Sequence, residues 1–266
     1  MDTRVQIGAP CGTRRGSLSP RILSIIRMYN GIKEPNKSTM KTNFVKLQET
    51  LSQKVQTEDM KNLYYSLGAK TTAIFRVIDS IEKDCDELER IWENGFYSAA
   101  YNGKFTKFEP KDKTYWRKHI DISITISANI DILFYLVMSC LDILAKNTRE
   151  IYIFCKTPSA KSLPNYTFPK QKDWLIKHPA FDKPYSDYLK ATRWIDAFDM
   201  KRDVVTHRLA PLILQEKKFG NFNVIFIPNL KTREHYDVRG YWRKLKLDLS
   251  KFLEFYGQHF LTKITI

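Results

Sequence analysis

Between His119 and Asn147 the chain contains neither glycine nor proline, and Ile126, Ile130, Leu133, Val137, Cys140 and Leu144 recur at steps of three and four. Only an α-helix turns that spacing into one continuous apolar face, and a long helix with such a face has to be covered by others. The front of the run is ambiguous, because isoleucine at 120, 122, 124 and 126 alternates as a strand does. The most apolar part, Ile132 to Leu141, is bounded by Asp131 and Asp142. It has about half the length needed to cross a bilayer, so a core helix is expected, with no membrane partner.

A second stripe, Ile74, Ile78, Ile81, Cys85, Leu88 and Trp92, follows a helix start at Thr57, where a hydroxyl and the carboxylates of Glu58 and Asp59 suit free N–H groups. Its outer surface between Asp79 and Glu93 is acidic and is not expected to touch nucleic acid. Five prolines between residues 156 and 184, with several lysines, read as a long basic connector. Ser186 then opens a third helix expected to continue to near Pro211. Asn223 to Ile227 reads as a strand of a hairpin, and Asp248 to Lys263 as a last helix bearing Leu249, Phe252, Tyr256 and Phe260. Residues 1–40, rich in glycine, proline and scattered bases, read as a flexible basic arm ahead of a helical domain at 41–266. The fold class is therefore all-α, a helical bundle with a small β-hairpin insertion near the C-terminus.

The balance of 44 Lys and Arg against 29 Asp and Glu, a net charge of +15, favours an anionic partner such as nucleic acid. Cys11, Cys85, Cys140 and Cys155 show no CxxC spacing, and His119, His178, His207, His235 and His259 form no metal-spaced pair. Neither a disulfide framework nor a metal or other cofactor is indicated, and reduced thiols in a cytoplasmic protein are expected. The first twenty residues hold no apolar run of signal-peptide length. Phosphate loops, GxGxxG, Gly-x-Ser-x-Gly and HExxH are absent from the sequence.

The tetrapeptide Tyr-Trp-Arg-Lys occurs at 115–118 and again at 241–244, and aromatic rings beside bases suit stacked, unpaired nucleotides. In the third helix, Tyr188, Ala191, Ile195, Phe198, Val205 and Leu209 form a seven-residue stripe that Arg202 interrupts. A guanidinium in an apolar seam wants a countercharge, from a carboxylate, a phosphate or a second subunit. Asp203 and His207 stand one turn apart, close enough for the carboxylate to orient the imidazole, and Pro211 ends the helix just beyond.

Arg202 to His207, reading Arg-Asp-Val-Val-Thr-His, resembles the Arg-x4-His signature of the HEPN superfamily, and the resemblance extends over roughly residues 60–266. The order of elements is similar too: two long helices, a variable linker, a helix ending in the motif, and a closing helix. The resemblance implies a metal-independent endoribonuclease of the toxin or phage-defence type, with RNA as substrate, a homodimer whose composite site lies between protomers, and an antitoxin or defence-system partner. It implies Arg202, His207 and Asp203 as catalytic residues, with the histidine moving protons, the arginine neutralising the phosphorane, and the aspartate orienting the histidine. Thr206, Arg208, Tyr241, Trp242, Arg243 and Lys244 are the expected RNA contacts. Where some toxin members carry a tyrosine two residues past the histidine, this chain has Leu209. Five helical steps separate Arg202 and His207 by about 140°, so a second protomer or an unwound helix end has to bring them together. A non-catalytic helical module that binds RNA or protein, and a helical scaffold whose charge serves assembly, are the competing expectations.

Overall fold

The computed structural model describes residues 42–54, 58–91, 93, 110–207, 212–218, 221–229 and 234–265. Among them are seven helices and a small antiparallel sheet. They are α1 (Asn43–Lys54), α2 (Glu58–Ile91), α3 (Pro110–Phe154), α4 (Phe168–Lys177), α5 (Lys183–Ala191), α6 (Trp194–His207), β1 (Leu212–Lys218), β2 (Asn221–Asn229), β3 (Glu234–Asp237) and α7 (Val238–Thr265). The chain is thus mostly helical. The strands expected as a hairpin form a three-stranded sheet in the order β1-β2-β3. The expected arm at 1–40, and Trp92 at the end of the second stripe, lie outside the described residues.

The long apolar run is a helix throughout, and the alternating isoleucines belong to it: Ile126 is buried while Ile124 faces solvent. With no glycine or proline to break it, β-branched content alone does not turn a run into a strand when a core face continues at helical spacing. Ile126, Ile130, Leu133, Val137, Cys140 and Leu144 are all fully buried, as are Ile74, Ile78, Ile81 and Cys85 of α2. The two helices run antiparallel, with Thr71 Oγ1 3.8 Å from Cys140 Sγ and Asp84 bonded to Asn129. Residues Thr114–Phe154 have the length and, in their best window, the mean hydropathy (1.8) of a membrane-crossing helix. Some 44% of that window is buried inside the protein, where it forms the centre of the core.

The proline-rich stretch is not an open connector. Pro169 and Pro184 stand in the first turns of α4 and α5, where a missing N–H costs nothing and a fixed φ favours the helix. Phe168 N donates to Asp142 Oδ1 at 2.8 Å, and Gln171 Nε2 donates to the carbonyls of Ala145 (2.7 Å) and Pro164 (2.6 Å), clamping α4 onto α3.

The helix expected from Ser186 to near Pro211 is two helices. Thr192 leaves helical geometry at ψ 74°, its hydroxyl donating back to Tyr188 O at 2.8 Å and its N–H to Tyr188 O and Leu189 O. A threonine hydroxyl that competes for the preceding turn favours such a break. Tyr188 and Ala191 therefore belong to a different helix from Ile195 and Phe198, and the seven-residue stripe is not one seam. The closing helix begins ten residues earlier than its apolar spacing suggests, at Val238, because Asp237 Oδ2 accepts from Gly240 N at 2.5 Å and caps it. α1 lies across α7 where Gly257 leaves room: a Cβ there would sit 2.2 Å from Phe44 N.

Candidate functional site

The helix that carries the Arg-x4-His motif is anchored ahead of the motif. In the first turn of α6, Asp196 Oδ1 accepts from Lys172 Nζ at 2.5 Å, and Lys172 is itself buried in α4 and reaches Thr192 O. An acid at this end also opposes the helix dipole. Ile195 and Phe198 then enter the core, with the Phe198 ring 4.5 Å from that of Phe134 and Trp194 edge-on to both Phe198 and Phe252. Further along, Lys201 Nζ stands 4.4 Å above the Tyr236 ring and 5.5 Å from that of Tyr241, a cation shared by two π faces. Burial lowers the Lys201 pKa, and Glu234 opposes the shift.

Positions 202 to 207 continue this helix, which is described as far as His207. Arg202 and Thr206 are one turn apart, as are Asp203 and His207. The side chains of these four, and all of Arg208, lie outside the described residues.

The second tetrapeptide is fully described: its tryptophan is withdrawn from solvent, while its two bases are exposed but ion-paired. Trp242 is completely buried, stacked at 5.6 Å on Phe226 and edge-on to Phe134, which corrects its expected role in base stacking. Tyr241 is half-buried beneath Lys201, and burial together with Tyr236 pushes its hydroxyl pKa up. Arg243 Nε pairs with Glu82 at 2.8 Å, and Lys244 Nζ with Asp248 at 2.5 Å.

Arg243 is one rung of a ladder. Arg239 Nη2 bridges Asp86 (2.7 Å) and Glu89 (2.8 Å), and Lys246 Nζ meets Asp79 at 2.9 Å. The acidic surface of α2 is therefore neutralised by the first turns of α7 rather than left open. Exposed pairs of this kind stabilise by about 0–1 kcal/mol each, so the ladder fixes the alignment of α2 and α7 more than it stabilises the fold. In the first tetrapeptide, by contrast, Tyr115, Trp116 and Arg117 are exposed, and Lys118 bonds Glu87.

A buried polar cluster escaped the sequence reading. The Asp182 carboxylate, 1% exposed, accepts from Tyr185 N (3.2 Å), Tyr152 Oη, His259 Nε2 (2.8 Å) and Lys263 Nζ (3.2 Å). Burial pushes its pKa up, but the bonds from His259 and Tyr152 and the charges of His259 and Lys263 outweigh that and hold it at about 2. The His259 ring lies nearly parallel to those of Tyr185 (5.4 Å) and Phe255 (5.7 Å), which also neighbour each other at 6.4 Å. The available signal was the spacing of His259 and Lys263, one turn apart on a helix, together with an aspartate just before Lys183-Pro184, where it caps α5. What spacing does not reveal is that the two meet. The cluster lies within the core and ties α3, α5 and α7 together.

Among the described residues, no group of three His, Cys, Asp or Glu side chains is arranged to hold a metal ion. Comparison with protein-family models, with curated proteins and with solved structures gives no match.

Proposed function

We propose that this chain is a metal-independent endoribonuclease on a HEPN-like helical bundle, cutting RNA by attack of a ribose 2′-hydroxyl at Arg202 and His207. The observation that carries the reading is the position of the motif: Arg202 to His207 lie in the last described turns of α6, beyond the part of that helix that enters the core at Ile195 and Phe198. The order of elements supports it as well, with long antiparallel α2 and α3, a short helix ending in the motif, and α7 closing the bundle.

In this mechanism His207 moves the proton of the 2′-hydroxyl or of the leaving oxygen, Arg202 neutralises the charge that builds on phosphorus, and Asp203 orients the imidazole. Two copies complete the site, because positions 202 and 207 lie about 140° apart around one helix. With Trp242 in the core and Arg243 ion-paired, the RNA track is assigned to Thr206, Arg208 and other bases rather than to 241–244. A toxin or phage-defence role, in the cytoplasm and with a cognate antitoxin, follows from the same resemblance.

The test is incubation of the purified protein with single-stranded RNA in EDTA. Cleavage leaving cyclic phosphate ends, lost by orders of magnitude in His207→Ala and Arg202→Ala and less in Asp203→Asn, is expected. Cleavage of a substrate with deoxyribose at the scissile nucleotide, or activity unchanged in both alanine variants, overturns the proposal.

A further inference from the structure

Around α3, one side after another is occupied. α2 lies along it at Thr71 and Glu87, Phe198 of α6 and Trp242 of α7 cover Phe134, and Gln215 of β1 donates to Ser123 Oγ at 3.1 Å. One face remains. Asp121, Ile124, Ala128, Ile132 and Tyr135 follow one another at steps of three, four, four and three, within an arc of about 80°. All five are exposed, Ile124 at 62%, Ile132 at 47% and Tyr135 at 64%. Large aliphatic side chains in a row on one helix, left open to water, mark an interaction surface.

The order of the steps reads the same in both directions. Laid antiparallel across a second copy with Ala128 at the crossing, this face sets Ile124 against the partner's Ile132 and Asp121 against the partner's Tyr135, twice over. Beside Tyr135 stands Lys70, its Nζ 5.4 Å from the ring centroid. The carboxylate of Asp121 thus meets an ammonium at each end of the apolar strip. A small residue at the crossing permits the close approach of two helices, and a two-fold interface requires this kind of self-complementarity. A lipid surface is the poorer occupant, because it would bury Asp121 without a countercharge.

We infer that the Asp121–Tyr135 face of α3 is a two-fold interface between copies of this chain, centred on Ala128 and flanked by paired Asp121 and Lys70. It bears on the proposed ribonuclease only by supplying the second copy. It is tested by association rather than by cleavage, so the two can fail separately.

Light scattering of the full chain at about 1 to 100 µM, the range suited to an interface of modest area, should show a monomer–dimer equilibrium. Asp121→Lys should shift it to monomer while leaving the melting transition in place, and adding Lys70→Asp should restore the dimer. In a background with Cys11→Ser and Cys155→Ser, Ala128→Cys should cross-link to its own equivalent under mild oxidation, whereas Tyr65→Cys, equally exposed but on α2, should not. A folded Ala128→Cys variant that yields no covalent dimer overturns the inference. So does failure of the charge exchange to restore association, or a monomer that binds phosphatidylserine vesicles through Ile124 and Ile132.

Discussion

Replacing Asp182 separates charge from shape in the buried cluster. The carboxylate titrates at about 2 in the folded chain against 3.8 ordinarily, a gap worth about 2 kcal/mol of folding stability at neutral pH. Because the folded value is depressed, that contribution is complete above about pH 4 and disappears as the pH falls toward 2. Asp182→Asn keeps an oxygen for the Tyr185 N–H and a similar volume, but removes the charge that His259 and Lys263 approach. It should cost about 2 kcal/mol at pH 7 by urea unfolding and much less near pH 2.5. Asp182→Ala also removes the α5 cap and leaves the Tyr152 hydroxyl and the His259 ring without their buried acceptor, for a cost of about 2–5 kcal/mol. The informative quantity is the difference between wild type and Asp182→Asn as a function of pH, since every other carboxylate is common to both. A difference that stays constant from pH 7 to 2.5, or one near zero throughout, refutes the claim that the carboxylate is held ionised by its partners.

Three other outcomes are expected. Gly257→Ala drives a methyl into the backbone of Phe44, 2.2 Å away, and should destabilise by about 3 kcal/mol and release α1 from α7, read by urea unfolding and by hydrogen exchange of residues 43–54. Burial pushes the Cys85 thiol to about 12 and Cys140 to about 11, so at pH 8 alkylation followed by mass spectrometry should reach Cys155 ahead of these two, which react only on unfolding. Arg243→Ala and Lys244→Ala, whose bases are already paired with Glu82 and Asp248, should change RNA affinity less than twofold by filter binding and stability by under about 1 kcal/mol.

The long helices were legible because their evidence is local. A core face at steps of three and four over Ile126 to Leu144, or Ile74 to Leu88, has only one regular solution, and both runs are buried along those residues. The misreadings have a common origin in residues with two uses. Proline ends a helix from inside and begins one from its first turn, so Pro169 and Pro184 looked like loop and are helix starts. Thr192 sits without a glycine or proline beside it, so nothing local announces that α5 ends there. The Asp182 cluster depends on residues 77 positions apart, and no local pattern tells that its two halves meet.

The two copies of Tyr-Trp-Arg-Lys show why a motif of residue types carries so little about contact. At 115–118 the tetrapeptide lies near the start of α3, with its aromatic rings in solvent. At 241–244 it lies in the first turns of α7, opposite the acidic length of α2, with its tryptophan in the core. The chemistry is the same and the neighbours differ. Yet the second fate had a signature that composition could not express. Asp79, Glu82, Asp86 and Glu89 step by three, four and three, and Arg239, Arg243 and Lys246 step by four and three, so each set lines one face of its helix. Two helices bearing complementary lines, run antiparallel, pair rung by rung as they do here. The acidic stretch and the basic one, read separately, suggest a surface that repels nucleic acid and another that attracts it. Read together they cancel. The net charge of +15 therefore overstates what this end of the molecule offers to a polyanion, and an RNA track has to be sought among bases that no carboxylate on a facing helix already holds.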